Sequence, residues 1–577
     1  MRGFGNIHKR LILVLLCGWV SALILAQTPY DSAYRDVAAR IREQVRLFTD
    51  RSIYAVDETI HLVAAYRVSG PVEENGWSSV LYVELITSGG QPVVQAKFPL
   101  SAGRAEGTLA IPEEALTGDY YLKSYTRWMR NQGPGSFHYT ALKIINPYRS
   151  EVVMNPEAEG PESPAHPAYY RKDLVACSVV PGPVQGGEEV HLLLDQTSAL
   201  SGTTLRGCVT VIPEGALDPA GVSMRLPVAE SDTFRVRFLP DMGSGVSISG
   251  TVVGPDQKPV PYTTLHISVL GEKPDYFATM SDEQGRFILS FPENMGEKRE
   301  FFIAPEKDEV EGLEVRIDEE FDSRSVQFPG HAFRLSADEA EIARKTAMNM
   351  QLSRVFRHTD NASPKQGPDS IRRKPVPFYG TRVNRLLIDD YIMLPNLKEI
   401  FINLVPEIQF YKKRGETRIR FLSDNNSIGV FSPLIMMDHV SVFDHQALLD
   451  LSPEKIERID LINEIYLKGN VAFGGVLAIY SRKGDMAGID LPNGSYFFDY
   501  QSFHPDDPVM LPATDQEGRI PDTRNTFFWQ GDLALEPGIR KEITFPAPSH
   551  PGRYMVQVRG MLPGGELFSA STVFEVE

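Results

Sequence analysis

The chain has 577 residues, with 58 Lys and Arg against 75 Asp and Glu, a net charge of −17. At roughly 150 residues per domain this length needs about three to five cores, and 42% hydrophobic with 23% charged residues excludes a wholly disordered chain. The acidic balance excludes nucleic acid as the main partner, because binding phosphate needs a basic face.

Arg2, Lys9 and Arg10 precede an apolar run over 11–25. That run is short for a membrane span and reads as a secretory signal, 1–26, cleaved after Ala26. Cys17 lies inside it, but Leu16 precedes it where a lipoprotein signal wants a small residue, so simple cleavage is favoured over lipidation. A short amphipathic helix is expected over 34–47, followed by period-two sequence. Residues 49–68 read as a turn-separated strand pair, and 116–133 as a turn at Gly118 and Asp119 before an aromatic strand. Trp128 on that strand reads as core, although Asp119, Arg127 and Arg130 beside it could make a polar patch. A Pro- and Glu-rich stretch, 155–167, marks a boundary. Short strands recur over 168–241.

Two cysteines remain after the leader, Cys177 and Cys208. An exported compartment permits a disulfide between them, and the other reading is two buried thiols. Over 245–330, Gly285 supplies a turn and Phe287, Leu289 and Phe291 alternate inward. His266 has no partner at metal-ligand spacing. A helix with Ala340, Ala343, Ala347 and Met350 on one face opens the segment 331–395, which ends in a basic linker. Residues 396–485 alternate strands and helices, and 486–577 returns to sandwich-like strands. The fold class expected is mainly β: tandem β-sandwiches plus one small α+β unit.

Several segments resemble known families. Asp50, Ile53 and Tyr54, followed by Glu58, Thr59 and Ile60, resemble the macroglobulin-type sandwich over 27–150, and 168–241 does so more loosely. The run 125–133 is similar to exported multidomain proteins of Bacteroidetes-type bacteria. The thioester motif Cys-Gly-Glu-Gln is absent, so covalent protease capture is not implied. The pattern from Gly250 to Leu265, and Asp282 to Phe287, resemble the carboxypeptidase-regulatory-like sandwich, a name that implies no peptidase. Residues 433–440, 451–461 and 473–484 resemble the plug domain of TonB-dependent outer-membrane receptors, with His439 where Gly is usual and a Gly474–Gly475 turn in place of a longer loop. The stretch after Gly484 is too short for the receptors' 22-stranded barrel, so the chain alone is not expected to be a transporter.

No GxSxG elbow, HExxH helix, P-loop or dinucleotide fingerprint is present, and no catalytic, cofactor or metal site is assigned. Asp438–His439 and Asp444–His445 offer two carboxylates and two imidazoles for an acid–base or metal site, against the reading of Asp438 as a turn residue. The plug resemblance implies a partner-binding region with Asp438, His439, Asp444, Gly474 and Gly475, and as partner an outer-membrane barrel protein of the SusC/TonB-receptor type. The expected role is a non-enzymatic envelope docking subunit, exported to the periplasm or outer membrane and reaching the membrane only through that partner. The alternatives are a surface module gripping glycan or protein nutrient with exposed aromatics such as Trp77 and Trp529, or an enzyme using Asp438 or His445.

Overall fold

The computed structural model describes residues 38–71, 77–153, 169–180, 183–197, 202–217, 223–224, 236–241, 245–271, 273–291, 298–306, 310–324, 328, 332–357, 377–422, 428–504 and 521–577. The leader, the stretch 155–167 and the basic stretch 358–376 lie outside them. The chain is mainly β, and among the described residues no helix is long and apolar enough to cross a membrane.

The first sandwich is set by a two-faced strand, Thr59–Ser69. Ile60, Leu62, Ala64, Tyr66 and Val68 point into its core. His61, Val63, Ala65 and Arg67 alternate to the other face, as period-two side chains must. Residues 42–47, expected to close a helix, instead form the strand Arg42–Thr49, paired antiparallel with Val45 opposite Tyr66 and Leu47 opposite Ala64. Glu43, Val45 and Leu47 are buried at a spacing of two, and pairing supplies the backbone bonds a helix would have made internally. The opposing sheet runs Ser223–Met224, His138–Ile145, Gly118–Tyr125, Val80–Thr87, Pro92–Pro99. Trp128 is fully buried beneath it and meets Trp77 edge-on at 5.2 Å.

The segments expected to build separate sandwiches over 168–241 and 486–577 share their sheets. Glu189–Gln196 lies between Val175–Val180 and Lys541–Pro546, while Leu205–Pro213 is flanked by Phe528–Leu535 and Gly552–Met561. One core unites Leu192, Val209, Val556 and Phe574. Neither half can bury its apolar face alone, so strands more than 300 residues apart in sequence complete each other.

The third unit packs Arg286–Ser290, Ser247–Val253 and Glu314–Ile317 against a sheet of Asp275–Met280, Thr264–Leu270, Lys298–Glu306 and Tyr496–Gln501. Phe287, Leu289 and Phe291 do face inward. Tyr496–Gln501, expected in the last sandwich, belongs here. The core of this unit is continuous with that of the first sandwich. Helix Ala337–Arg357 lies on the first sandwich, where Ala343, Thr346 and Met350 are buried, Lys143 pairs with Glu339 and Arg354 with Glu113.

Gly207 sits where a Cβ would lie 2.2 Å from the Arg559 carbonyl oxygen. Gly207→Val should therefore lower stability by about 2 kcal/mol and speed amide exchange in both Leu205–Pro213 and Gly552–Met561. Faster exchange in the first strand alone would contradict the shared sheet.

Candidate functional site

The fourth unit is a sheet ordered Asn384–Leu387, Ile456–Lys468, Val471–Ser481, Leu434–Met437, Val440–Ser441, with helices Leu397–Leu404 and His445–Leu449 and a hairpin, Ile408–Lys413 with Glu416–Phe421. Leu434–Met437 is entirely buried and runs parallel to Val471–Ser481. Asp438 and His439 follow it at φ 47° and 72°, a two-residue hairpin turn into Val440. The Asp438 carboxylate accepts from the Ser481 amide at 2.8 Å, the Ser481 hydroxyl at 2.5 Å and the Met486 amide at 2.9 Å. It is a structural tie, as its turn position suggests. Burial depresses the His439 imidazole below its ordinary value, against the pull of Asp438; its ring meets Tyr480 edge-on. Asp444 caps helix His445–Leu449 by accepting from the Ala447 amide at 2.9 Å, and the buried His445 Nδ1 accepts from the Ile419 amide at 3.1 Å. Asp438, Asp444 and His445 are each committed to a backbone partner, whereas the buried His439 Nδ1 has none among the described residues.

Gly474 and Gly475 make no turn. Val471–Ser481 continues through them, with a bulge where Asn463 and Glu464 face Gly475 alone. Gly475 has φ +99°, and a Cβ on Gly474 would lie 2.4 Å from the Ile428 and Phe431 carbonyl oxygens. Gly474 lets the segment 428–432 cross the strand closely, while Gly475 makes room for Phe421 and the Ile462 carbonyl. Gly474 and Ser481 are seven residues apart, about 23 Å along an extended strand, so the residues expected to act together sit at opposite ends of the sheet.

At the glycine end Val430 (76% exposed) and Leu467 (72%) face solvent with Leu422, Phe431 and Ile465; at another edge Ile392 (89%) does so with Leu387, Tyr391 and Met393. More than half of the large exposed hydrophobic side chains among the described residues fall within 387–497.

A cluster that sequence reading missed joins the third and fourth units. His266, buried on Thr264–Leu270, places Nε2 2.9 Å from a Glu306 oxygen, and Nδ1 2.7 Å from the Tyr276 hydroxyl and 2.9 Å from Ser441 Oγ. With Nε2 donating to the carboxylate, Nδ1 accepts from the hydroxyls. Ser, His and Glu stand in the order of a hydrolase triad, but Ser441 is 2% exposed and Tyr276 fully buried. The cavity beside His266 measures about 30 Å³, room for a water and not for a substrate. The cluster is a polar joint. Only the three-dimensional pairing of Ser441 with His266, 175 residues away, reveals it.

The polar residues around Trp128 are not a surface patch: Asp119, Arg127 and Arg130 are all buried. Trp77 and Trp529 are buried too, so neither is free to stack on a glycan; Trp529 packs with Phe48, Val63 and Met561 between the first and the composite sandwich. Cys177 and Cys208 are free thiols. Cys208 belongs to that same junction, whereas Cys177 packs against the interior of the composite sandwich, so they face different cores. Burial pushes the thiols up, to about 12 for Cys177 and about 11 for Cys208. Among the described residues no three His, Cys, Asp or Glu side chains are grouped to hold a metal ion.

No protein-family model and no curated protein matches the chain. Among solved structures, it is similar to the alpha-2-macroglobulin of Salmonella reacted with methylamine, at 10% identity over 92% of this chain and 39% of that one, TM-score 0.22. The trypsin-activated alpha-2-macroglobulin of Escherichia coli aligns at 10% identity over 93% and 41%, TM-score 0.22. Latent PorU from Porphyromonas gingivalis aligns at 9% over 50% and 33%, TM-score 0.14. The chain spans about two fifths of the length of the macroglobulin chains it matches.

Two outcomes follow from this geometry. Asp438→Ala strands two backbone amides and a hydroxyl and should cost about 2 kcal/mol or more in urea unfolding. Glu43 lies buried beside Thr126 and Tyr66, and burial lifts its carboxyl from 4.5 to about 7 against their hydrogen bonds. Between those values the folded state holds a proton the unfolded state has lost, so stability should fall as pH rises from about 4.5 to about 7. Glu43→Gln should flatten that part of the pH–stability curve, and an unchanged slope would show that Glu43 is not its source.

Proposed function

We propose that the chain is a non-enzymatic scaffold of the cell envelope that docks an outer-membrane barrel protein through its fourth unit. The observation that carries this is the concentration of exposed apolar side chains on that unit, above all Val430, Phe431, Ile465 and Leu467 around Gly474. Scattered exposed hydrophobics are ordinary, but a cluster on one edge is the mark of an interaction surface. The resemblance of 433–440, 451–461 and 473–484 to a receptor plug supports a barrel as the partner, and the leader-like 1–26 supports export to the periplasm or outer membrane. The side chains of Asp438, Asp444, His445 and His266 all serve as structural ties, which favours scaffold over enzyme. The glycan-gripping reading loses Trp77 and Trp529 to the core.

A mild-detergent pull-down of the tagged full chain from its native cells tests the proposal. The expected result is a stoichiometric barrel protein, retained by the wild type and lost by Val430→Asp with Leu467→Asp, both substitutions at exposed positions that the fold tolerates. A chain that emerges alone, or a partner held equally by the double variant, would sink this reading.

A further inference from the structure

The outward face of Thr59–Ser69 does not lie flat on the composite sandwich. A cleft of about 550 Å³ opens between them, within the roughly 300–1,000 Å³ typical of ligand sites, which favour domain interfaces. Its floor is apolar: Phe48, Val63, Ala65 and Met561. The hairpin loop joining Gly552–Met561 to Leu567–Val576 forms one wall, held by Arg67 Nη1 donating to the Gly564 carbonyl at 2.7 Å.

The charged side chains that line this cleft carry one sign. Arg67, Arg104 and Arg206 line it. A fourth arginine, Arg559, lies behind the floor with its guanidinium 5.8 Å from the Phe48 ring centroid and only 1% exposed. Arg559 donates to the Thr49 carbonyl, but its buried Nε has no hydrogen-bond partner among the described residues. Of the four, only Arg104 is paired with a carboxylate among the described residues, that of Glu106. The Arg206 side chain makes no hydrogen bond or ion pair among the described residues, although its backbone pairs with Ala534 in the sheet. In a chain of net charge −17, an apolar trough framed by arginines in excess of carboxylates is complementary to a ligand with an apolar body and an anionic head.

We propose that this cleft binds an anionic amphiphile, its acyl or alkyl body on Phe48, Val63, Ala65 and Met561 and its carboxylate or phosphate head at Arg206 and Arg67. The site is independent of the docking edge of the fourth unit, and either reading can fail without the other.

Isothermal titration of the full chain with decanoate, decyl phosphate, neutral 1-decanol and inorganic phosphate tests it. At least one of the two anionic amphiphiles should bind, and which does so identifies the head as carboxylate or phosphate. Loss of a charged hydrogen bond should weaken 1-decanol, and the amphiphile on Arg206→Glu, by about tenfold or more. Arg206 is exposed, so its reversal leaves the fold intact. Ala65→Phe should abolish binding by filling the trough. Absence of binding by both amphiphiles overturns the proposal. So does equal affinity for 1-decanol, or for inorganic phosphate alone, and so does an Arg206→Glu variant that binds as well as the wild type.

Discussion

Two arginines three residues apart hold the architecture together. Arg127 and Arg130 flank Trp128 at the end of the first sandwich's aromatic strand, and both guanidinium groups are buried. Arg127 donates to the Ser247 carbonyl at 2.7 Å and to the Ser249 hydroxyl, with Asp241 at 3.9 Å. Arg130 donates to the carbonyls of Glu319 and Glu320, lies over the Phe238 ring at 3.8 Å and faces Asp322 at 3.6 Å. Lys97 pairs with Glu320, and Lys123, held by Glu84 on the neighbouring strand, donates across to the Asp322 carbonyl. Burial works against the charge on Lys97 and lowers its affinity for a proton, with Glu320 opposing. A buried charge is tolerated only with a partner in good geometry, and removing one partner costs about 3–5 kcal/mol. These residues therefore admit one placement of the third unit on the first. An apolar seam of equal area would tolerate sliding.

That placement propagates. With Ser247–Val253 fixed by Arg127, the opposite sheet of the third unit presents His266 to Ser441, and Ser268 to the His439 carbonyl at 2.7 Å. On the far side of the fourth-unit hairpin, Asn470 accepts from the Met280 amide and Gly469 leaves no room for a side chain against the Ala278 carbonyl. The fourth unit is thus held by polar joints at two places, and the apolar side chains at Val430 and Leu467 are presented on a fixed support. Preorganisation of this kind reduces the ordering cost of association.

The sequence disclosed what depends on neighbours in the chain. Alternation found Phe287, Leu289 and Phe291, turn chemistry placed Asp438, and spacing found the helix over 337–357. Residues 42–47 misled because Val45, Leu47 and Phe48 suit a short helical face as well as a strand, and only the partner strand decides. The Gly474–Gly475 pair looked like a turn because a bulge is defined by the opposing strand. Trp77 and Trp529 could not be told from surface aromatics, since neither an indole set edge-on to Trp128 inside the first sandwich nor one packed between two sandwiches carries a local mark. The His266–Ser441 joint, the arginine seam and the arginine-lined cleft were invisible for the same reason: each is assembled across 120 or more residues.

The deepest departure from a reading by segments is topological. Successive modules would make a string of beads, each free to turn on its linker. Here Leu205–Pro213 finds its neighbours in Phe528–Leu535 and Gly552–Met561, so everything between them is inserted into one sandwich. Within that insertion Ser223–Met224 returns to the first sandwich and Tyr496–Gln501 closes the third unit after the fourth has been built. Closing so long an excursion is less forbidding than it looks, because the entropic cost grows only with the logarithm of loop length, and each return buries a strand edge. The consequence is mechanical. The fourth unit runs directly into Tyr496–Gln501 of the third and is bonded to the third through His266–Ser441 and Met280–Asn470, so a partner pulling on its apolar edge loads the third unit, the arginine seam and the first sandwich together.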